Sequence, residues 1–256
     1  MKVSENATGG LPCLAMKSLL LPGVPEVLVR ASLAKAGGDE IGSGKFANPQ
    51  SSAALAANGF GWFLERPGLL PAFPCLGDVD WPATTVDIER QMRFPWHGGR
   101  HPWLDAAVET GTTLIGVESK RFEPFRSGKV AKLSDAYDRD VWGGGMGPWC
   151  ELRDLLRAEP RRFAHLDAAQ LVKHAFGLVT EASRIGKHPV LLYLFAEPAS
   201  VKPEKKQRHR TEIAILAEIV EGAQVRFASC SWREWLLLWT GKAAAHAAAL
   251  IEAFDP

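Results

Sequence analysis

The stretch WLDAAVETGTTLIGVESKRF, residues 103–122, decides the fold because it predicts two strands joined by a short turn. The four residues TGTT, 110–113, form a turn of a length common in β-hairpins. With the flanking residues paired, Asp105 faces Glu118 on the neighbouring strand, with Cβ atoms roughly 4.5–5.5 Å apart. Lys120 follows two residues after Glu118 and therefore shares its face. The hairpin thus predicts two carboxylates and an ammonium group on one face.

The arrangement of Asp105 and Glu118 favours a divalent cation, because adjacent carboxylates repel each other unless a positive charge separates them. A surface strand with unrelated charges is the alternative interpretation. The residues before Glu118 argue against this alternative. The run LIGV, residues 114–117, is apolar and predicts a buried strand with Glu118 at its end. A charge in that position is costly without a partner or a function.

Length and composition predict one domain over residues 1–256. The chain has 256 residues, of which 46% are hydrophobic, and a formal net charge of +1. We expect a core at about 45–200, a Gly- and Pro-rich N-terminal extension at 1–44 and a C-terminal addition at 201–256. The near-neutral charge means that any polyanion site is a local patch.

The cysteines and the N-terminal sequence predict a cytoplasmic protein without a membrane segment. Cys13, Cys75, Cys150 and Cys230 are far apart and lack the spacing of a zinc site. The apolar stretch at residues 19–21 is broken by Pro22 and is too short for a signal peptide or a spanning helix.

Hydrophobic periodicity predicts an α/β fold with a mixed central sheet flanked by helices. The core order is helix, strand, strand, strand, helix, strand (αβββαβ). The predicted elements are a helix at 26–36, a helix at 51–64, a strand at 84–94, the hairpin at 103–122, an irregular insertion at 126–160, a helix at 166–184, a strand at 189–195, a helix at 202–220, a strand at 223–230 and a helix at 242–254.

Asp105 and the run Glu118-Ser119-Lys120, in this element order, resemble the PD-(D/E)xK nuclease superfamily, the fold of many restriction endonucleases. The proline of that motif is present as Pro102, three residues before Asp105 rather than next to it. The segments at 44–63 and 116–125 are similar to a group of restriction-endonuclease-like bacterial proteins. The resemblance covers roughly residues 40–200.

The resemblance implies a magnesium site. We expect that Mn²⁺ can replace Mg²⁺ there. Asp105, Glu118 and the backbone carbonyl of Ser119 would bind the ion, and Lys120 would orient or activate the attacking water. Mg²⁺ is held by one or two carboxylates together with phosphate oxygens and water. It lowers the pKa of water and neutralises charge on the phosphate. Glu65, at the end of the first helix, or Glu89, on the first strand, would supply a further acid; the alternative for each is an ordinary surface residue.

The helix after the hairpin carries Gln170 and Lys173 on one face. The resemblance implies that such residues face the active site and act in catalysis. The alternative is that both are ordinary solvated helix residues.

The best candidate for phosphate contacts is the segment KPEKKQRHR, residues 202–210, at the start of a predicted helix. Five basic residues against one glutamate would neutralise a few phosphates and make binding salt-dependent. Basic residues are unfavourable at a helix start, which favours a binding role over ordinary solvated residues. They are Lys202, Lys205, Lys206, Arg208 and Arg210.

Other predicted nucleic-acid contacts lie near the hairpin and on the helix at 51–64. A second basic patch consists of Arg121, Arg126, Lys129 and Lys132. Ser51, Ser52 and Asn58 either contact the DNA backbone or cap and pack the helix.

We therefore expect a Mg²⁺-dependent (endo)deoxyribonuclease that acts on double-stranded DNA and leaves a 5′-phosphate, as the resemblance implies. A homodimer would allow both strands to be cut. One alternative is a catalytically inactive nuclease-fold module that binds DNA or a protein. Another is an unrelated α/β enzyme acting on a small anionic substrate, which would need a closed pocket.

Overall fold

The computed structural model describes residues 19–36, 40–126, 128 and 130–256. A five-stranded sheet lies at its centre, with the strands side by side in chain order. The pairs β1–β2 and β2–β3 are antiparallel, whereas β3–β4 and β4–β5 are parallel. The strands are β1 Thr85–Gln91, β2 Trp103–Glu109, β3 Thr113–Lys120, β4 His188–Phe195 and β5 Arg226–Ser231. The predicted mixed sheet is confirmed.

The register of the β2–β3 hairpin is the predicted one. Glu109 pairs with Leu114, and the ladder continues to the pair of Ala106 and Val117. The carboxylate of Asp80 holds the turn between the strands, because its Oδ2 accepts a hydrogen bond of 3.0 Å from the backbone N–H of Thr112. The hairpin therefore presents its strand ends as the sequence predicts.

Helices flank the sheet on both faces and complete the predicted αβββαβ core. The helices are α1 Glu26–Lys35, α2 Ser52–Gly61, α3 Gly147–Ala158, α4 Ala168–Ile185, α5 Pro203–Ile219, α6 Trp232–Leu236 and α7 Gly241–Phe254. The core consists of α2, β1, β2, β3, α4 and β4, and α4 is part of the crossover that a parallel β3–β4 pair requires. Strand β5, from the C-terminal addition, joins the same sheet.

Each face of the sheet has its own hydrophobic core. Phe60 of α2 and Trp232 of α6 pack with Ile115 on one face. Trp149 of α3 packs with Leu178 of α4 on the other. Because the sheet is covered on both sides, β4 is almost continuously apolar, as expected of a buried parallel strand.

The prediction of an irregular insertion at residues 126–160 is wrong in one part. Its last third forms α3, whose side chains Trp149 and Leu152 are fully buried. Pro148 lies in the first turn of this helix, where its missing N–H costs nothing. The run of glycines before the helix, residues 143–145, makes the segment look irregular when only its composition is considered.

In the described part of the chain, no helix has the combination of length and apolar character that a membrane span needs.

Gly59 provides a test of the packing between α2 and α6. A Cβ atom at this position would lie 2.6 Å from the Trp232 ring, which is fully buried and unable to move aside. We expect Gly59→Ala to lower the free energy of unfolding by about 1–3 kcal/mol through overpacking, although alanine favours a helix by up to about 1 kcal/mol. Urea denaturation measures the change.

The matched control is Gly147→Ala in α3, where nothing lies within 4 Å of the added Cβ atom. This variant is expected to be neutral or slightly more stable. Equal stabilities of the two variants would contradict the packing described for Gly59.

Candidate active site

The ends of β2 and β3 bring the three predicted residues together. Asp105 lies one step beyond the last ladder pair and is level with Glu118. Its Oδ2 accepts a hydrogen bond of 2.6 Å from the backbone N–H of Ser119. On the other side of the strand, Trp232 Nε1 donates to Ser119 Oγ at 3.1 Å. Ser119 therefore fixes the position of the strand segment that carries Glu118 and Lys120.

Glu118 forms a buried ion pair and has partners on both oxygens. Its side chain is only 2% exposed, and that of Lys120 is 15% exposed. Lys120 Nζ contacts Glu118 Oε1, and His174 Nε2 of α4 lies 2.9 Å from Oε2. The carboxylate is thus held from the sheet and from the helix above it.

Burial and neighbouring charges shift the pKa values of Asp105, Glu118 and Lys120 in different directions. Burial raises the pKa of Asp105, and Glu118 raises it further, so that it lies well above its ordinary value. Burial also raises the pKa of Glu118, but Lys120 and His174 outweigh that effect and hold it at about 2. Burial lowers the pKa of Lys120, yet Glu118 and Asp105 leave it above its usual range. Glu118 is therefore ionised at neutral pH, and Asp105 is the carboxyl group that retains a proton more readily.

A cleft of about 330 Å³ opens beside Asp105. Its polar and charged lining residues are Glu40, Lys45, Asn48, Gln50, Ser51, Ser52, Glu89, Asp105, Glu123 and Arg126. Lys45, Asn48 and Gln50 are exposed, so the cleft is open to solvent and is not the closed pocket that a small-substrate enzyme would need.

Of the two further acids predicted, the structure places Glu89 in this cleft and Glu65 outside it. Glu89 has a φ of +51° in the middle of β1, the left-handed region that non-glycine residues rarely adopt. Burial, followed by the charges of Glu40 and Glu118, raises its pKa to about 7. Glu65 is exposed beyond the far end of α2, whose ten residues span about 15 Å from the cleft. The prediction for Glu65 is therefore wrong.

Glu123 is a cleft residue that the strand pattern does not reveal. Strand parity assigns it to the face away from Lys120, but β3 has ended and a short 3₁₀ turn, Glu123–Phe125, redirects the chain. Glu123 Oε1 accepts a hydrogen bond of 2.7 Å from Ser52 Oγ, and Oε2 accepts one of 3.0 Å from the backbone N–H of Arg121. Ser51 caps α2 by accepting from the backbone N–H of Ala54 at 3.1 Å. The first turn of α2 is thus tied to the cleft.

The α4 residue in contact with the site is His174. Gln170 is half-buried and is not among the described residues lining the cleft, while Lys173 lines a separate surface cleft with Lys132 and Arg157. His174 lies one turn after Gln170 on the same face, so helical spacing could have identified it. Catalytic roles for Gln170 and Lys173 have no support in the geometry.

Two predicted DNA contacts are buried and must be corrected. Asn58 is fully buried: its Oδ1 accepts from the backbone N–H of Leu21 at 2.7 Å, and its Nδ2 donates to the carbonyl of Ala54 at 2.8 Å. Arg121 is 6% exposed and donates to the carbonyls of Pro49 and Phe254. Both side chains anchor backbone segments, so neither is available to a nucleic acid.

The basic segment at the start of α5 is mostly accessible. Lys202, Lys205 and Arg208 are exposed, and Lys206 is half-buried. Arg210 pairs with Glu197 at 2.7 Å and lies 3.5 Å from Glu234, so its charge is already compensated. Lys129, from the second predicted patch, lies outside the described residues.

The donor chemistry fits a hard divalent cation. Asp105 and Glu89 are carboxylates whose raised pKa values reflect burial near other acids, and a cation would relieve both. Among the described residues, no group of three or more His, Cys, Asp or Glu side chains forms a metal cage. Mg²⁺ does not need one, because two carboxylates suffice when phosphate oxygens and water complete its shell. Asp105 and Glu89, which line the cleft, are the carboxylates that could hold it there. Ligand roles for Glu118, whose oxygens contact Lys120 and His174, and for the Ser119 carbonyl stay predictions.

Comparison with known protein families agrees with the fold. A family model described as "Restriction Endonuclease associating with ARP" matches residues 9–254. The chain belongs to this family. The matched range includes the sheet, the cleft and the C-terminal helices. The family points to a nuclease-type function. No curated protein and no solved structure gives a significant match.

The raised pKa of Glu89 makes stability pH-dependent. Between its ordinary value of 4.5 and about 7, the folded state binds more protons at Glu89 than the unfolded state, so stability falls as pH rises. We expect Glu89→Gln to be more stable than the natural chain at about pH 8 by roughly 1–3 kcal/mol, with a smaller difference below about pH 4.5. Denaturant unfolding in EDTA at several pH values measures this.

Asp80 provides a control of opposite sign. Hydrogen bonds from Thr110 and Thr112 lower the pKa of Asp80 to about 2. Asp80→Asn should therefore lower stability at neutral pH, with the effect vanishing as pH falls towards 2. If Glu89→Gln behaved in the same way as Asp80→Asn, the electrostatic description of the cleft would be wrong.

Proposed function

We propose that this chain is a divalent-metal-dependent deoxyribonuclease that hydrolyses phosphodiester bonds in DNA, with Mg²⁺ or Mn²⁺ as cofactor. The observation that carries the proposal is the position of Asp105. It lines an open cleft and is hydrogen-bonded to the strand that carries the Glu118–Lys120 pair. Family membership supports the nuclease part of the proposal, and the donor chemistry of the cleft supports the metal.

The proposal assigns each residue a role that is compatible with its contacts. A bound divalent cation would neutralise charge on the phosphate and lower the pKa of a water molecule. Asp105 and Glu118 would supply carboxylates, and His174 Nε2 lies beside the Glu118 oxygen that Lys120 does not contact. The Lys120 ammonium stabilises negative charge at the phosphate in a partly desolvated site. The Glu123–Ser52 hydrogen bond keeps the start of α2 at the cleft wall.

The proposed substrate is double-stranded DNA, which two copies of the chain would cut on both strands. The net charge of +1 provides no general attraction to a polyanion. Phosphate contacts must therefore come from local cations, and Lys45, Arg126, Lys202 and Lys205 lie in or next to the cleft.

Asp105→Asn tests the nuclease proposal with little risk to the fold. The amide oxygen still accepts the Ser119 N–H, but the carboxylate charge is lost. We expect nicking of supercoiled plasmid in Mg²⁺ or Mn²⁺ to fall by about a hundredfold or more. The assay is the initial rate of loss of the supercoiled form.

Glu109→Gln is the matched control on the same strand. Glu109 is likewise an acid of β2, paired with Arg90 at 2.6 Å and with Lys187 at 2.7 Å, but it lies at the other end of the strand. Its variant should cleave at the natural rate. Cleavage that survives Asp105→Asn unchanged would remove Asp105 from the site.

A binding module is the second candidate, favoured by a specific observation. Both oxygens of Glu118 already have protein partners, Lys120 and His174. A carboxylate held in this way is less available to a metal ion. The family description also names association with ARP, which is consistent with a role in binding a protein.

Metal binding separates the two candidates without any assay of activity. We expect Mn²⁺ to bind saturably to the natural chain and at least about tenfold more weakly to Asp105→Asn, because a ligand is lost. The electron paramagnetic resonance signal of free Mn²⁺ measures this, with Glu109→Gln as reference. The absence of saturable binding, together with salt-sensitive binding of DNA, would favour the binding module.

A further inference from the structure

A second pocket, of about 450 Å³, lies next to the cleft and differs from it in charge. Its lining residues are Gln50, Phe122, Phe125, Arg126, Ser200, Val201, Lys202 and Lys205. We call it the basic pocket, since three of these residues are cationic and none is acidic. The cleft, in contrast, is lined by four acids, Glu40, Glu89, Asp105 and Glu123.

The basic pocket and the cleft share a wall. Gln50 and Arg126 line both, and Arg126 Nη2 donates to Gln50 Oε1 at 3.2 Å. The 3₁₀ turn after β3 also serves both, because Glu123 lines the cleft and Phe125 lines the basic pocket. The pocket is therefore at a fixed position relative to Lys120, three residues before that turn.

The lysines of the basic pocket come from the start of α5. Lys202 is the N-cap residue, Lys205 lies in the first turn, and both line the pocket. Lys205 Nζ donates to the carbonyl of Phe125 at 3.1 Å, which leaves two of its three N–H groups for a ligand. Lys206 and Arg208, on the same helix, are not among the described residues lining the pocket.

We propose that the basic pocket binds a phosphate group of the nucleic-acid strand, adjacent to the phosphate that occupies the cleft. This inference rests on the proposed function in taking DNA as the ligand. A strand has regularly spaced phosphates, so one phosphate at the acidic, cation-dependent cleft requires neighbours nearby. The basic pocket supplies the cations that such a neighbour needs, with an aromatic floor from Phe122 and Phe125. The volume lies within the roughly 300–1,000 Å³ of ordinary ligand sites.

The test compares two pairs of charges on the same helix. Binding of a short fluorescent duplex is followed by anisotropy in EDTA at several salt concentrations, for Lys202→Ala/Lys205→Ala and for Lys206→Ala/Arg208→Ala. We expect the first variant to reduce the slope of log K against log salt by about 0.9, the value for one phosphate contact. The second should reduce the slope by less than half as much.

The ends of the duplex distinguish the two sources of phosphate. The measurement is made with 5′-phosphate and with 5′-hydroxyl ends. The quantity compared is the slope of log K against log salt for the natural chain and for Lys202→Ala/Lys205→Ala. If the two slopes still differ when the duplex has hydroxyl ends, the pocket binds an internal phosphodiester. A difference seen only with phosphate ends assigns it to a terminal phosphate.

Equal slopes for the two double variants, or no DNA binding by the natural chain, would overturn the inference. A diffuse basic surface, rather than a pocket, would produce equal slopes. The result is independent of the nuclease proposal: plasmid cleavage with equal slopes rejects only the pocket, and the expected slopes without cleavage reject only the nuclease.

Discussion

The rest of the site depends on the buried ion pair between Glu118 and Lys120 at the end of the central strand. Removing two charges from water costs several kcal/mol per ion, and their attraction rarely returns more than that cost. The pair is therefore poor evidence for stability and better evidence for a function that needs the charges. The surroundings of the ion pair come from two other elements. Asp105 of β2 is hydrogen-bonded to the neighbouring Ser119, and His174 of α4 contacts Glu118. β3 has β2 on one side and α4 across one of its faces, so its end is within reach of both residues.

The parts of the site that the sequence predicts correctly are governed by local backbone rules. A four-residue turn and a side-chain period of two determine the hairpin register, and the register brings Asp105 level with Glu118. The sequence pattern does not reveal two residues of the site. One makes a tertiary contact, and the other lies beyond the end of a strand, where the alternation of side chains stops. His174 lies more than fifty positions along the chain from Glu118, with helix α3 between them. Glu123 follows the last residue of β3, so the parity that places Lys120 no longer applies to it.

The corrections for Asn58 and Arg121 have a common physical cause. Amide and guanidinium groups bind backbone carbonyls as readily as they bind phosphates, and the sequence does not distinguish the two partners. Arg121 joins the carbonyl of Pro49, just before α2, to that of Phe254 at the end of α7. Since Arg121 directly follows Lys120, these two hydrogen bonds place both helix ends against the end of β3. The C-terminal addition is thereby part of the site's support, even though its own sequence carries no catalytic motif.

The wall formed by Gln50 and Arg126 separates the acidic cleft from the basic pocket, so the two sites differ in their interaction with a phosphate. A phosphodiester strand is repelled by the acids of the cleft until a cation compensates for them, whereas the basic pocket attracts it without a cation. Under the two proposals made above, a strand would be held first through Lys202 and Lys205, and the phosphate at Asp105 would be engaged only when metal is present. A near-zero net charge is consistent with this arrangement, because the attraction has to be local if it is to determine which phosphate enters the cleft.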